Sequence, residues 1–119
     1  MASERLGIKR VLFAARHSFQ GLRAAWRKEE AFRQEVVVAL VALPVAWLLG
    51  ESAVERAVLA AVVINVLVIE LLNTAIENVV DRVGTDPHKL SGRAKDVGSA
   101  AVFVAIVLAA VVWGLLLLG

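Results

Sequence analysis

Three apolar runs decide what this chain can fold into. Residues 36–50 and 97–118 contain no charged side chain, and between them an apolar core over 57–72 contains only one, Glu70. A helix crossing a bilayer needs about 20 predominantly apolar residues, and each run reaches that length with its immediate neighbours. Hydrophobic residues make up 60% of the 119-residue chain, well above the roughly 45–50% of soluble domains, so the surplus calls for lipid as solvent. The sequence therefore reads as an all-α membrane protein of one domain, residues 1–119, with spans over 31–50, 53–83 and 97–118. Pro44 inside the first run reads as a kink, because membrane helices tolerate proline better than soluble ones do. Gly84-Thr85-Asp86-Pro87 is a helix-stop signal, and residues 84–96 are expected to form a polar loop. Trp113, near the far end of the third run, suits a membrane interface.

Charge is segregated. Of the 13 Lys and Arg residues, eight lie in 1–35 and four in 82–95, with Arg56 the remaining one. Basic loops stay on the cytoplasmic side, which places the N-terminus and the second loop there and residues 50–56 outside. Three spans satisfy this without contradiction. The early residues are charged throughout, unlike a signal peptide, so the N-terminus is expected to be retained. A net charge of +2 gives no reason to expect nucleic acid as a partner.

Residues 5–28 read as a surface helix. At about 100° per residue, Arg5, Lys9, Arg16, Gln20, Arg23 and Arg27 share one side, while Ile8, Val11, Leu12, Ala15, Phe19, Leu22 and Trp26 take the other. Leu6 and Phe13 depart from the pattern, and Gly21 is a place where the helix can bend. A basic amphipathic helix of this kind lies in the headgroup plane with its cations toward lipid phosphates.

The most informative stretch is Glu70-Leu71-Leu72-Asn73-Thr74-Ala75-Ile76-Glu77-Asn78-Val79-Val80-Asp81. Taking Glu70 as zero, Asn73, Thr74, Glu77 and Asp81 fall on one stripe about 100° wide. At ~1.5 Å per residue, Glu70 lies roughly 16 Å deeper than Asp81. An ionisable group at that depth is costly unless paired, hydrated or neutralised, and reads as functional by default; Asn73 and Thr74 alone could equally join helices by hydrogen bonds. Enclosed by Ile69, Leu71 and Leu72, Glu70 would be a better base than a surface carboxylate and reaches the depth of a lipid hydroxyl.

Glu77 is shallow enough to meet water, metal and phosphate. With no cysteine and only two histidines, any metal must be held by oxygen. Mg²⁺ needs only one or two carboxylates beside substrate phosphates, so Glu77 requires one partner, from Glu29, Glu30 or Glu35. Arg93, Lys95 and Asp96 add charge at the same membrane face. A P-loop, a G-x-S-x-G elbow and an HExxH motif are all absent from the sequence.

The stretch from Glu70 to Glu77, followed by Val79-Val80-Asp81, resembles the signature of the prokaryotic diacylglycerol kinases. So do Gly21-Leu22-Arg23-Ala24-Ala25-Trp26, Glu29 and Ala31-Phe32-Arg33-Gln34-Glu35 before the first span. His88-Lys89-Leu90-Ser91-Gly92-Arg93-Ala94-Lys95-Asp96, then Gly98-Ser99-Ala100-Ala101-Val102, resembles the family's second loop and third-span entry. The likeness runs in order along nearly the whole chain.

It implies a homotrimeric lipid kinase of the inner membrane, with sites shared between subunits, that uses MgATP to convert diacylglycerol to phosphatidic acid. By matching position, Glu70 is the expected proton acceptor, and Glu29 and Glu77 the expected ligands of nucleotide-bound Mg²⁺. Arg10, His17, His88, Lys95 and Asp96 fall at the ATP positions. Ser18, Trp26, Arg33, Gln34, Glu35, Asn73 and Ser99 fall near the lipid or support the site. His17 departs from the tyrosine usual there, and Asp86-Pro87 departs from the family's loop pair. A sister branch phosphorylates undecaprenol, whereas the GSAAV, Ser-Gly-Arg and Phe-Arg-Gln-Glu stretches look more like the diacylglycerol branch. A small oligomeric ion-coupled transporter is the rival from another class; it would need Glu70 but has no use for Glu29, Glu77 and Lys95 at one face.

Overall fold

The computed structural model describes residues 2–119, with side chains from Gly7 onward; the Arg5 and Leu6 side chains lie outside the described residues. Among those residues there are four helices and no strand: α1 (Ala2–Lys28), α2 (Glu30–Leu49), α3 (Ala53–Val83) and α4 (Lys89–Leu118). The last three are long and apolar enough to cross a membrane. α2 runs through Pro44 as a single helix, and α1 runs through Gly21.

Overall extents of 50 × 47 × 23 Å reveal the arrangement. A 30-residue helix is about 45 Å long, so α2, α3 and α4 side by side account for one long dimension. The second requires α1 to run out sideways. α1 packs against α2 near their corner, and Ala25 is its only buried side chain among those described. Ile8, Val11, Leu12 and Phe19 on its apolar side are bare, as expected of a helix whose apolar face meets lipid rather than protein.

The corner is built by two residues. Glu29 adopts an extended backbone (φ −110°, ψ 106°) that separates α1 from α2. Arg33 then reaches back from α2, its Nη1 donating to the carbonyls of Trp26 (2.7 Å) and Arg27 (3.1 Å). Those carbonyls belong to the last turn of α1 and have no partner within their own helix.

Small residues let the spans approach closely. In α2, Phe32, Ala39 and Ala46 are buried at seven-residue spacing, and in α4 Gly98 and Ala105 repeat that interval. Between them α3 buries Leu59, Glu70, Asn73 and Thr74. The buried side of α3 thus changes from apolar to polar along its length.

At the end of the bundle that the charge pattern assigns to the outside, Ser52 Oγ caps α3 by accepting from Glu55 N at 3.1 Å. Arg56 folds back to donate to the Trp47 carbonyl at 3.0 Å, with its guanidinium 4.9 Å from the Trp47 ring centre. The Arg56 stem crosses so close to Gly50 that a Cβ there would collide with it. Trp113 is occupied with protein as well, its Nε1 donating to the Leu59 carbonyl at 3.1 Å and tying α4 to α3.

One expectation is corrected. The second loop is only Gly84 to His88, because α4 begins at Lys89, eight residues before the uncharged run. His88 Nδ1 accepts from Leu90 N at 3.0 Å and starts the helix as an N-cap. Hydropathy marks where lipid begins, not where a helix begins, and the polar stretch 89–96 is helix standing clear of the apolar zone.

Candidate active site

The acid stripe descends from water into the bundle. Asp81 is exposed, Glu77 half-buried, and Glu70 only 5% exposed. Glu70 lies against Glu35 of α2 closely enough for their carboxyls to interact, and the charges of Glu29 and Glu77 also reach it. Four carboxylates from the corner, α2 and α3 therefore surround one region. Glu35 Oε2 is buried there without a hydrogen-bond partner, leaving an acceptor free for a proton, a water or a ligand hydroxyl.

Asn73 links the stripe to α4. Its Nδ2 donates to Glu77 Oε1 at 3.2 Å, which orients the Glu77 carboxylate. Its Oδ1 is buried without a partner against Gly98, where an added Cβ would collide with it. Gly98→Ala is therefore expected to push Asn73 aside, lower stability by about 1–3 kcal/mol and release Glu77. A thermal melt of the purified chain checks this; an unchanged melting temperature would mean that the backbones part without cost.

A cleft of about 360 Å³ lies between α1 and α3, lined among others by Ser18, Gly21, Lys28, Glu29, Thr74 and Asn78. Thr74 Oγ1 is buried without a partner. Glu29 stands at the N-cap of α2 yet makes no side-chain cap bond, so its carboxylate oxygens remain available. A second cavity of about 440 Å³ lies under the α3–α4 loop, among Asp81, Asp86, His88, Ser91, Gly92 and Lys95. There Lys95 Nζ pairs with Asp81 Oδ1 at 2.7 Å. That hydrogen bond and the adjacent negative charge raise the Lys95 ammonium above its ordinary value, so it stays cationic throughout the physiological range.

Other expected site residues lie apart. Arg10 and His17 sit on the exposed part of α1, and the His17 ring stacks on Phe13 at 6.4 Å. α1 shares no extensive packed surface with α4, so these two residues and the set His88, Lys95 and Asp96 form two separate groups within one chain. Trp26 lines an apolar groove of about 500 Å³ with Phe19, Leu22, Arg23, Phe32 and Val36. Arg33 is engaged at the corner, while Gln34, Asp96 and Ser99 are exposed. Gly98, Asn78 and the pairing of Asp81 with Lys95 were not singled out by the sequence; Gly98 is visible there only as a small residue beside a polar one.

The sequence profile of the prokaryotic diacylglycerol kinases matches residues 16–117. The chain belongs to that family. Its similarity to individual members spans nearly full lengths. It is 50% identical to the diacylglycerol kinase of Escherichia coli K12 over 117 residues, covering 98% of this chain and 96% of the relative. The Pseudomonas aeruginosa diacylglycerol kinase is 51% identical over 113 residues, 95% of this chain and 92% of that protein. The Haemophilus influenzae diacylglycerol kinase is 44% identical over 108 residues, 91% and 92% of the two chains. The family match includes every carboxylate of the cluster around Glu70.

Proposed function

We propose that this chain is an ATP-dependent diacylglycerol kinase, working at the cytoplasmic face of the inner membrane to make phosphatidic acid. The observation that carries the reading is the stripe on α3. It joins a carboxylate buried at lipid depth, Glu70, to one that meets water, Glu77, through a short series of polar residues. A lipid hydroxyl approaches from the apolar side and a nucleotide from the aqueous side.

In the reaction, the Glu70 carboxylate takes the proton of the diacylglycerol hydroxyl as its oxygen attacks the γ-phosphorus. The bond from that phosphorus to the β,γ-bridging oxygen breaks, and ADP leaves. Glu35, beside Glu70, has a free oxygen to orient the same hydroxyl. Lys95, held by Asp81, faces the second cavity as a cation for phosphate.

The residues also fit magnesium. Among the described residues no three His, Asp or Glu side chains form a group that could hold a metal ion, as suits an ion that shares its coordination with nucleotide phosphates. Glu77, oriented by Asn73, and Glu29, free of capping duty, are the ligands this chain would supply. When bound, Mg²⁺ would neutralise charge on the transferring phosphoryl group. The separation of Arg10 and His17 from His88, Lys95 and Asp96 supports a site completed by a neighbouring subunit, and hence the homotrimer.

Supplying diacylglycerol and undecaprenol together in one detergent micelle, with labelled ATP and Mg²⁺, tests the substrate. Label is expected mainly in phosphatidic acid. Label mainly in undecaprenyl phosphate would reverse the assignment.

A further inference from the structure

The face of α3 turned away from Glu70 is aliphatic except for one residue. Taking Glu70 as zero, Asn65 falls at about 220°, and Val58, Leu72 and Ile76 lie within about 20° of it. Those three are 39%, 56% and 41% exposed, and Asn65 is itself part-exposed. Asn65 sits near the middle of the apolar core 57–72, roughly 10 Å from either end, beyond the reach of bulk water.

None of the described side chains hydrogen-bonds to it. Lipid tails can cover Val58 and Leu72 at no cost, but they offer nothing to an amide, whose exposure to hydrocarbon is unfavourable. What Asn65 lacks is a donor and an acceptor at the same depth. An amide carries both, so a second Asn65 is its natural complement.

We propose that the face of α3 formed by Val58, Asn65 and Leu72 packs against the same face of a second copy of this chain, with the Asn65 amides hydrogen-bonded to each other inside the bilayer. The contact lies on the side of α3 opposite Glu70, so copies join there without closing the acid stripe. It holds whatever reaction Glu70 serves.

The chain has no cysteine, so Asn65→Cys introduces a single thiol. Oxidation of that full-length variant in lipid vesicles is expected to give covalent dimers, whereas Phe103→Cys, exposed on α4, stays monomeric under the same treatment. Energy transfer between labelled full-length chains, followed as they are diluted into lipid, is expected to show association weakened about tenfold by Asn65→Leu and retained by Asn65→Gln. Should Asn65→Leu fail to fold, the cross-link decides by itself. Equal cross-linking at positions 65 and 103, no cross-link at 65, or association unchanged in Asn65→Leu would each overturn the proposal, the last two leaving the amide against lipid or another helix.

Discussion

Glu70→Gln is expected to abolish most turnover while leaving the chain folded and able to bind nucleotide. The amide nearly matches the carboxylate in shape, so the contact with Glu35 and the surrounding α2–α3 packing keep their form. It cannot accept the hydroxyl proton. General-base catalysis contributes roughly 10²–10⁴ in rate, and kcat should fall by a factor in that range with little change in the KM for MgATP. Steady-state assays in mixed micelles, beside a thermal melt, separate this from misfolding. Full turnover in the variant would remove Glu70 from the chemistry.

Glu77→Gln should produce the second-largest loss, with a different signature. Asn73 Nδ2 can still donate to the remaining side-chain oxygen, so the orientation survives while the charge is lost. The Mg²⁺ concentration needed for half-maximal rate should rise, by more than the roughly 10–100-fold typical of losing only an outer-shell partner. A magnesium titration of the rate checks it. An unshifted titration with a lower plateau would assign Glu77 to a role other than metal binding.

The contrast between the two variants follows from how the site is assembled, and much of that assembly is legible in the linear sequence. Helical periodicity alone aligns Glu70, Asn73, Thr74, Glu77 and Asp81, since residues three and four apart share a face in any α-helix. Their burial in the fold runs in the expected order of depth. The spans expected over 31–50 and 53–83 appear as Glu30–Leu49 and Ala53–Val83, because an uncharged run of that length has few other ways to satisfy its backbone in lipid.

What could not be read depends on how one helix is set against another. The meeting of Glu35 with Glu70 requires the register of α2 on α3, which hydropathy does not encode. The same is true of Gly98 against Asn73, where a missing side chain sets the distance between two helices. The resemblance places Arg33 near the lipid, but in the fold its guanidinium joins α1 to α2. The early start of α4 rests on a single bond from Leu90 N to His88 Nδ1, a local event within a stretch whose composition reads as loop.

The central claim is that a deep carboxylate passes a lipid proton while a phosphoryl group arrives from the aqueous side. Incubating the purified full-length chain with γ-labelled ATP, Mg²⁺ and vesicles containing diacylglycerol tests it most directly. The label should appear in phosphatidic acid in step with ADP formation and disappear with Glu70→Gln. Label released only as inorganic phosphate, or label in lipid at the same rate in Glu70→Gln, would contradict it.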